Sequence, residues 1–209
     1  MNPVVVIPAR GGSVRIPRKN VRPFYGRPII QYSIELAQSC GLDVVVSTED
    51  PEIAQLALDL GCQVRQRPFA LARDEVGTHE VWADAVESLG IKRGRVACLY
   101  PCAPLLDKND FIIGLGGSGY ALTVGTNPLR DAGAAYWGDA RDLRKDVPLI
   151  NERTRLIPLI EEDVCDINTE RDWFIAESRY ALKHGIDPQL SGLIRTVADP
   201  DVVDIAEAA

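Results

Sequence analysis

Short apolar runs alternate with amphipathic segments along the first 125 residues of the chain. Three short apolar runs predict buried strands, at residues 4–7, 44–46 and 96–100. Between them, apolar residues recur at helical spacing and predict helices that begin at Pro28, after Asp50 and at Thr78. Regular alternation of strand and helix is typical of an α/β fold with a mainly parallel sheet and right-handed crossovers.

The residues that begin and end the predicted helices suit those positions. An Asp or Thr side chain can accept a hydrogen bond from the first free backbone N–H groups of a helix. We predict such N-terminal caps at Asp50, Thr78, Asp107 and Thr169. Thr169 is followed three residues later by Asp172, which predicts a capping box, and this last helix is expected to end at Gly185.

The second half of the chain is less regular. Apolar runs predict two strands that flank a turn, at residues 121–124 and 134–137, and a smaller pair at residues 149–150 and 156–160. A further short strand is predicted at residues 62–64. Residues 185–209 carry five acidic side chains, one Arg and little periodicity. We therefore predict one domain over residues 1–184, followed by an acidic, loosely packed tail.

The composition excludes several protein classes. The chain has 209 residues, of which 46% are hydrophobic and 25% charged, and its net charge is −7. These values are typical of a globular protein. The apolar runs are too short for a membrane span or a signal peptide. Five cysteines without a C-x-x-C pair favour reduced thiols in a cytoplasmic protein, and Cys98 and Cys102 are expected to be buried rather than nucleophilic.

Positive charge is concentrated at the amino-terminal end. The first 34 residues contain no acidic side chain and six basic ones, Arg10, Arg15, Arg18, Lys19, Arg22 and Arg27. The rest of the chain is acidic, which argues against nucleic-acid binding, because that requires an extended basic face. A compact basic cluster suits one small anion. The alternative is a solvated basic loop.

The loop after the first strand combines two glycines with four cations. Residues 8–20 read P-A-R-G-G-S-V-R-I-P-R-K-N. Ligands of doubly wound sheets bind beyond the carboxyl ends of the strands, where Gly11 and Gly12 would let the backbone approach a phosphate. The loop matches neither the dinucleotide fingerprint nor the Walker A pattern. A Gly-Gly turn alone would be structural, so it is the cations that favour a phosphate site.

This loop resembles the opening of a known family. The run I-P-A-R-G-G-S-x-R-I-P-R-K-N is similar to that of the N-acylneuraminate and related nonulosonic acid cytidylyltransferases, and most similar to the branch that activates pseudaminic acid. Further similar blocks follow in the family's order, V-S-T-E-D at 46–50, R-P-x-x-L-A-x-D at 67–74, Y-P-C-A-P at 100–104, D-A-G-x-x-Y-W at 131–137 and D-I-N-T-x-x-D-W at 166–173. The resemblance implies a Rossmann-like nucleotidyltransferase (GT-A-like) three-layer sandwich with a mostly parallel mixed sheet.

The resemblance also implies the reaction and its residues. The anomeric hydroxyl of a small acidic sugar would attack CTP and release pyrophosphate, and a homodimer is the candidate assembly. The implied nucleotide-binding residues are Ala9, Arg10, Gly11, Gly12, Ser13, Arg15, Lys19, Asn20 and Arg67. The implied catalytic residues are Arg10, Lys19 and Asp166. Tyr100 and Pro104 are expected to contact the sugar.

A magnesium site is expected at Asp166 and Asn168. Side chains two residues apart on an extended segment share a face, so their oxygens can reach one hard cation. Taken alone, these residues fit a turn before a capped helix better than a metal site. The resemblance favours the metal, because the family holds its metal carboxylates at this place.

Several positions depart from the family pattern. Val14 replaces a Lys, Asn168 replaces the second metal carboxylate, and Arg130 replaces a His. Only six residues separate Val124 from Asp131, where the family carries a longer segment that contributes to sugar binding and dimer contacts. Alternatives therefore stay open. They are a cytidylyltransferase for N-acylneuraminate, octulosonate or a phosphonate, a nucleotide-sugar glycosyltransferase of similar fold, and a non-catalytic CTP-binding relative.

Overall fold

The structure is a computed structural model that describes residues 2–126, 128–143, 149–152 and 154–187. Within these ranges the strands are β1 (Val4–Pro8), β2 (Pro23–Phe24), β3 (Arg27–Pro28), β4 (Asp43–Thr48), β5 (Gln63–Gln66), β6 (Arg95–Leu99), β7 (Ala121–Thr126), β8 (Leu129–Asp139) and β9 (Arg155–Pro158). The helices there are α1 (Ile29–Ser39), α2 (Pro51–Asp59), α3 (Thr78–Ser88), α4 (Lys108–Ile113) and α5 (Glu170–His184).

Seven strands form one sheet in the order β5-β4-β1-β6-β8-β7-β9. β1 pairs in parallel with β4 on one side and β6 on the other, and β4 pairs in parallel with β5. β8 is antiparallel to both of its neighbours, β6 and β7, whereas β9 is parallel to β7. Among the described strands of this sheet, β8 alone runs against the others. The predicted mostly parallel mixed sheet is confirmed.

Apolar side chains cover both faces of the sheet. Val5 and Val6 are neighbours in β1, so their side chains point to opposite faces. Val5 packs in the core that Ile34 of α1 and Ile53 of α2 complete, whereas Val6 packs in the core around Trp82 of α3. Because β1 is buried on both faces, it is continuously apolar in sequence. Helices on both sides of the sheet give the predicted three layers.

Three of the four predicted helix caps are present. The Asp50 carboxylate accepts hydrogen bonds from two backbone N–H groups of α2, and the Asp107 carboxylate accepts one from α4. Thr169 and Asp172 form the predicted capping box at the start of α5. Each of these caps joins groups within three residues of one another, so the local sequence is sufficient to predict them.

The predicted cap at Thr78 is wrong. The N-cap of α3 is Gly77, and Thr78 is the first residue of the helix. The Thr78 hydroxyl instead lies 2.9 Å from the Tyr100 hydroxyl, which follows β6. A tertiary hydrogen bond between distant segments has taken the place of a local one.

Two other element boundaries differ from the prediction. Pro28 belongs to β3 and precedes α1, which begins at Ile29. Residues 149–150 are not in a strand, so the predicted pairing with residues 156–160 is wrong. Leu149 packs against the core around Trp82, and β9 pairs in parallel with β7. The edge of the sheet is thus completed by β9 alone.

The last described helix, α5, ends as predicted at Gly185, whose φ of 62° places it in the left-handed region. The predicted tail at residues 185–209 lies outside the described residues from 188 onward, so the division into domain and tail stays a prediction. Within the described ranges, every helix is too short or too polar to cross a membrane.

Candidate functional site

A cleft of about 440 Å³ lies beyond the carboxyl end of β1. It is lined by Arg10, Ser13, Val14, Arg15, Ile16, Lys19, Asn20, Asp74 and Asn168. Five predicted nucleotide-binding residues and one predicted metal residue are in this set. The fold therefore brings the glycine loop together with the segment before α5, which is far away in sequence.

Lys19 and Asn20 connect the glycine loop to its surroundings. The Lys19 ammonium donates a hydrogen bond to the carbonyl oxygen of Ile167, at 2.6 Å. The buried side chain of Asn20 donates from Nδ2 to the carbonyl oxygen of Arg10, at 2.8 Å, and its Oδ1 accepts a hydrogen bond from the Cys102 thiol, at 3.3 Å. Asn20 thus fixes the backbone of the loop, and Lys19 ties it to the predicted metal segment.

The corner between β4 and α2 holds the other side of the loop. The Gly11 amide donates a hydrogen bond to Oε1 of Glu49, at 2.8 Å. The Arg18 guanidinium forms an ion pair with the Asp50 carboxylate, at 2.5 Å. Contact with Asp50 also explains the glycine at position 11, because a Cβ there would lie 2.2 Å from Asp50 Oδ2, whereas a Cβ at Gly12 would have no neighbour within 4 Å.

The ion pair with Arg18 makes Asp50 sensitive to acid. Hydrogen bonding to the Arg18 guanidinium holds the pKa of the Asp50 carboxyl below its usual range. A lowered folded-state pKa stabilises the protein above the unfolded-state pKa of about 3.9, and this stabilisation is lost as the pH falls through the folded-state value. We expect Asp50→Asn to lower the free energy of unfolding at pH 7 and to lower it less at pH 3.

Chemical denaturation of the wild type and of Asp50→Asn at pH 7 and at pH 3 measures the loss in free energy of unfolding at each pH. Asp43→Asn, which changes an exposed residue at the start of β4, is the matched control for loss of one carboxylate. If Asp50→Asn lowered the free energy of unfolding equally at pH 7 and at pH 3, the result would contradict the assigned ion pair.

Arg67 lies beneath the cleft rather than in its lining. Its side chain is almost completely buried, and Oε2 of Glu49 accepts hydrogen bonds from Arg67 Nη2 at 2.7 Å and from Nε at 3.2 Å. The predicted contact between Arg67 and the nucleotide is not visible in this arrangement and stays a prediction. Sequence reasoning did not single out Glu49, although its place after β4, in the V-S-T-E-D block, was the available signal.

The remaining loop residues differ in what they can offer a ligand. Arg10 forms an ion pair with Asp74 at 2.5 Å, and both side chains are partly exposed. Arg15 is exposed and makes no ion pair or hydrogen bond with any other residue that the structure describes. Ala9 is buried, and its N–H donates to the carbonyl oxygen of Ser47, at 2.9 Å. The free positive charge at the cleft therefore comes mainly from Arg15, with Arg10 and Lys19 beside it.

Tyr100 and Pro104, the predicted sugar contacts, follow β6. The Tyr100 hydroxyl lies 2.9 Å from the hydroxyl of Thr78 and 3.3 Å from that of Tyr136, which in turn donates to Asp131 Oδ2 at 2.5 Å. Burial raises the pKa of Tyr100, so its hydroxyl stays neutral. Pro104 is buried. These hydroxyls form one polar chain, and sequence reasoning did not predict that Thr78 belongs to it.

Asp166 and Asn168 lie in the extended segment before α5. The Asp166 carboxylate has no hydrogen bond or ion pair with the residues that the structure describes, and Gly133 lies beside it. A Cβ at Gly133 would be 3.2 Å from Cγ of Asp166. The described ranges contain no group of three or more His, Cys, Asp or Glu residues that could hold a metal. One carboxylate and one amide oxygen fit Mg²⁺, which keeps waters and takes phosphate ligands.

The cysteines are free thiols, as predicted. Cys98 and Cys102 are buried, and burial raises the pKa of Cys102 to about 12. A thiol with such a pKa stays protonated at neutral pH and is a poor nucleophile. Cys102 contributes a hydrogen bond to Asn20 instead.

A cationic glycine loop shares one cleft with Asn168 of the segment before α5, at the carboxyl edge of a mostly parallel sheet. This arrangement is typical of a nucleotide-binding α/β protein of the nucleotidyltransferase type. Comparison with known proteins gives the family. The model of the cytidylyltransferase family matches residues 4–111, and the chain belongs to this family. The family resemblance inferred from the motifs is confirmed.

Relatives and solved structures match most of this chain and nearly all of their own length. The pseudaminic acid cytidylyltransferase of Campylobacter jejuni is 31% identical over 231 aligned positions, which cover 88% of this chain and 98% of that protein. A solved CMP:2-keto-3-deoxy-manno-octonic acid synthetase complexed with CTP has a TM-score of 0.66 at 16% identity, covering 88% of this chain and 99% of that one. A cytidylyltransferase from Leptospira borgpetersenii has a TM-score of 0.61 at 18% identity, covering 94% and 99%. Both structures confirm the predicted fold.

The connection between β7 and β8 is short in this chain. β7 ends at Thr126 and β8 begins at Leu129. The alignment with the Campylobacter relative has more positions than this chain has residues, so that relative contains residues that this chain lacks. The similar sequence blocks on either side of this connection place the missing residues there.

Proposed function

We propose that this chain transfers CMP from CTP to the anomeric hydroxyl of a nonulosonic acid of the pseudaminic type and releases pyrophosphate. One observation carries the proposal. The glycine loop and the segment that holds Asp166 both line the same cleft. The 31% sequence identity to a pseudaminic acid cytidylyltransferase supports the choice of sugar.

The residues of the cleft suit in-line transfer. The hydroxyl oxygen of the sugar attacks the α-phosphorus of CTP and its proton passes to solvent. The bond to the bridging oxygen of the β-phosphate breaks, and pyrophosphate leaves. Such phosphoryl chemistry depends on positioning and on stabilisation of negative charge. In this proposal Arg10, Arg15 and Lys19 bind the triphosphate, and the backbone of Gly12 and Ser13 lies against it.

Magnesium is part of the proposal, with Asp166 and Asn168 as its protein ligands. When bound, the ion neutralises charge on the phosphates. Asp166 brings a negative charge to this pair, whereas Asn168 offers only a neutral amide oxygen. Asn168 lines the same cleft as the cationic glycine loop, which supports an ion at this pair.

Because Asn168 is neutral, we expect Mg²⁺ to bind this pair more weakly than it would bind two carboxylates. We expect Asn168→Asp to lower the Mg²⁺ concentration that gives half-maximal pyrophosphate release by about 3- to 10-fold, because ligand charge strengthens binding of hard cations. Asn109→Asp, on the exposed first turn of α4, is the control. A Mg²⁺ dependence identical to that of the wild type would contradict the role of residue 168.

A second candidate function is CTP binding without turnover. Three departures from the sequence pattern of the family favour it. They are Asn168, Val14 and the short connection between β7 and β8. A third candidate function is CMP transfer to a different acid, and the same short connection favours it. We also propose a cytoplasmic location, in keeping with the free thiols, and a homodimer, which light scattering after size exclusion would test.

The deciding experiment is pyrophosphate release by the purified protein with Mg²⁺ and each of four acids, pseudaminic, legionaminic, neuraminic and octulosonic acid. Each acid is combined separately with CTP, ATP, GTP and UTP. Release with CTP and pseudaminic acid is the expected result. Release with another acid would correct the sugar, and CTP binding without release from any acid would support the non-catalytic function.

A further inference from the structure

Glu49 is a buried carboxylate directly beneath the glycine loop. Its side chain is 8% exposed, and that of its partner Arg67 is 3% exposed. One carboxylate oxygen accepts the hydrogen bond from the Gly11 amide, and the other accepts both hydrogen bonds from Arg67. A single side chain thus connects the loop after β1 with the residue that follows β5.

The sheet itself places this pair. β4 and β5 are parallel neighbours, with Thr48 opposite Gln66. The Arg67 N–H donates to the carbonyl oxygen of Thr48, at 2.9 Å, which continues the register by one residue. Glu49 and Arg67 therefore leave the sheet side by side at the edge where the cleft lies.

We propose that Glu49 is a positioning residue for CTP, a role that rests on the proposed function. Because the Gly11 amide donates to Glu49, it is turned away from the cleft and does not itself bind phosphate. Its hydrogen bond fixes the peptide that leads to Gly12 and Ser13, the backbone on which the triphosphate lies. Glu49 acts on the nucleotide through Gly11 and does not touch it.

Two further features fit this role. The loop has no room to move toward α2, since Asp50 fills the space beside Gly11. Arg67 neutralises Glu49, and without it a buried carboxylate close to the cleft would repel a triphosphate. The pair therefore supplies a rigid hydrogen-bond acceptor without adding net negative charge.

Two double variants isolate the hydrogen bond. Glu49→Gln with Arg67→Met keeps an oxygen acceptor for the Gly11 amide, whereas Glu49→Leu with Arg67→Met removes it. Both lack the buried ion pair, and both lose whatever Arg67 contributes to nucleotide binding. Calorimetric titration with CTP compares them, after thermal unfolding has shown that both are folded.

We expect the Leu variant to bind CTP about 5- to 10-fold more weakly than the Gln variant, the effect of one lost hydrogen bond. A purely structural role predicts that the two variants differ in melting temperature and not in CTP affinity. Equal affinities would overturn the proposal. Because the readout is CTP binding, it tests Glu49 even if pyrophosphate release fails with every acid.

Amide exchange in the wild-type protein gives a test that needs no variant. With ¹⁵N-labelled protein, we expect the Gly11 amide to be protected from solvent exchange without CTP and the Gly12 amide to become protected only when CTP is added. Rapid exchange of the Gly11 amide in the free protein would overturn the proposal as well.

Discussion

Asp166→Ala is expected to lower Mg²⁺-dependent pyrophosphate release by about 100-fold or more, since metal-assisted charge stabilisation supplies several kcal/mol of the barrier reduction. Asp166 is the carboxylate of the predicted metal pair, and its side chain has no protein partner in the described part of the chain. The substitution therefore removes a ligand without breaking an ion pair, and stability is expected to change little.

Initial rates over a range of Mg²⁺ concentrations measure this effect. Glu162→Ala is the matched control, because it removes an exposed carboxylate from the short turn that precedes the same segment. Calorimetric titration with CTP in the absence of Mg²⁺ should give similar affinities for all three proteins. Turnover of Asp166→Ala within about 3-fold of the wild type would exclude Asp166 as a ligand that matters for the reaction.

Gly11→Ala is expected to lower the free energy of unfolding by about 2–4 kcal/mol, from overpacking together with the loss of a helix cap. The new Cβ would lie within 3 Å of three Asp50 atoms. Asp50 has little freedom to give way, because it caps α2 and pairs with Arg18. CTP binding is expected to weaken in parallel, since the loop backbone must shift.

Gly12→Ala is the matched control for the effect of Gly11→Ala on the free energy of unfolding. Position 12 is next in the loop, its φ is not positive, and a Cβ there meets nothing within 4 Å. Its stability should match or slightly exceed that of the wild type, since alanine reduces the entropy of the unfolded chain. If urea denaturation gave the two variants equal stabilities, the contact between Gly11 and Asp50 would not be the reason for the glycine.

The features that sequence reasoning predicted correctly are those that short segments encode. The capping box of Thr169 and Asp172 lies within four residues, and the continuous apolar run of β1 identifies a strand buried on both faces. The cations at Arg10 and Arg15 could be assigned to the cleft because a loop after the first strand of a parallel sheet must emerge at its carboxyl edge.

The errors and omissions concern contacts between distant segments. Thr78 looks like a helix cap from its neighbours, but its hydroxyl is used by Tyr100. The pairing of Glu49 with Arg67 follows from the register of β4 and β5, which no local pattern reveals. The edge strand β9 carries too few residues for periodicity to show whether it pairs in parallel with β7.

The reversal of β8 has a consequence for how this protein can change. β7 runs in the same direction as β1, so the connection from β7 to β8 emerges at the edge of the sheet where the cleft lies. Residues added to or removed from this connection change this edge of the sheet and leave the paired strands intact. This connection is therefore a natural grafting point, where relatives can differ in loop length without rebuilding the sheet.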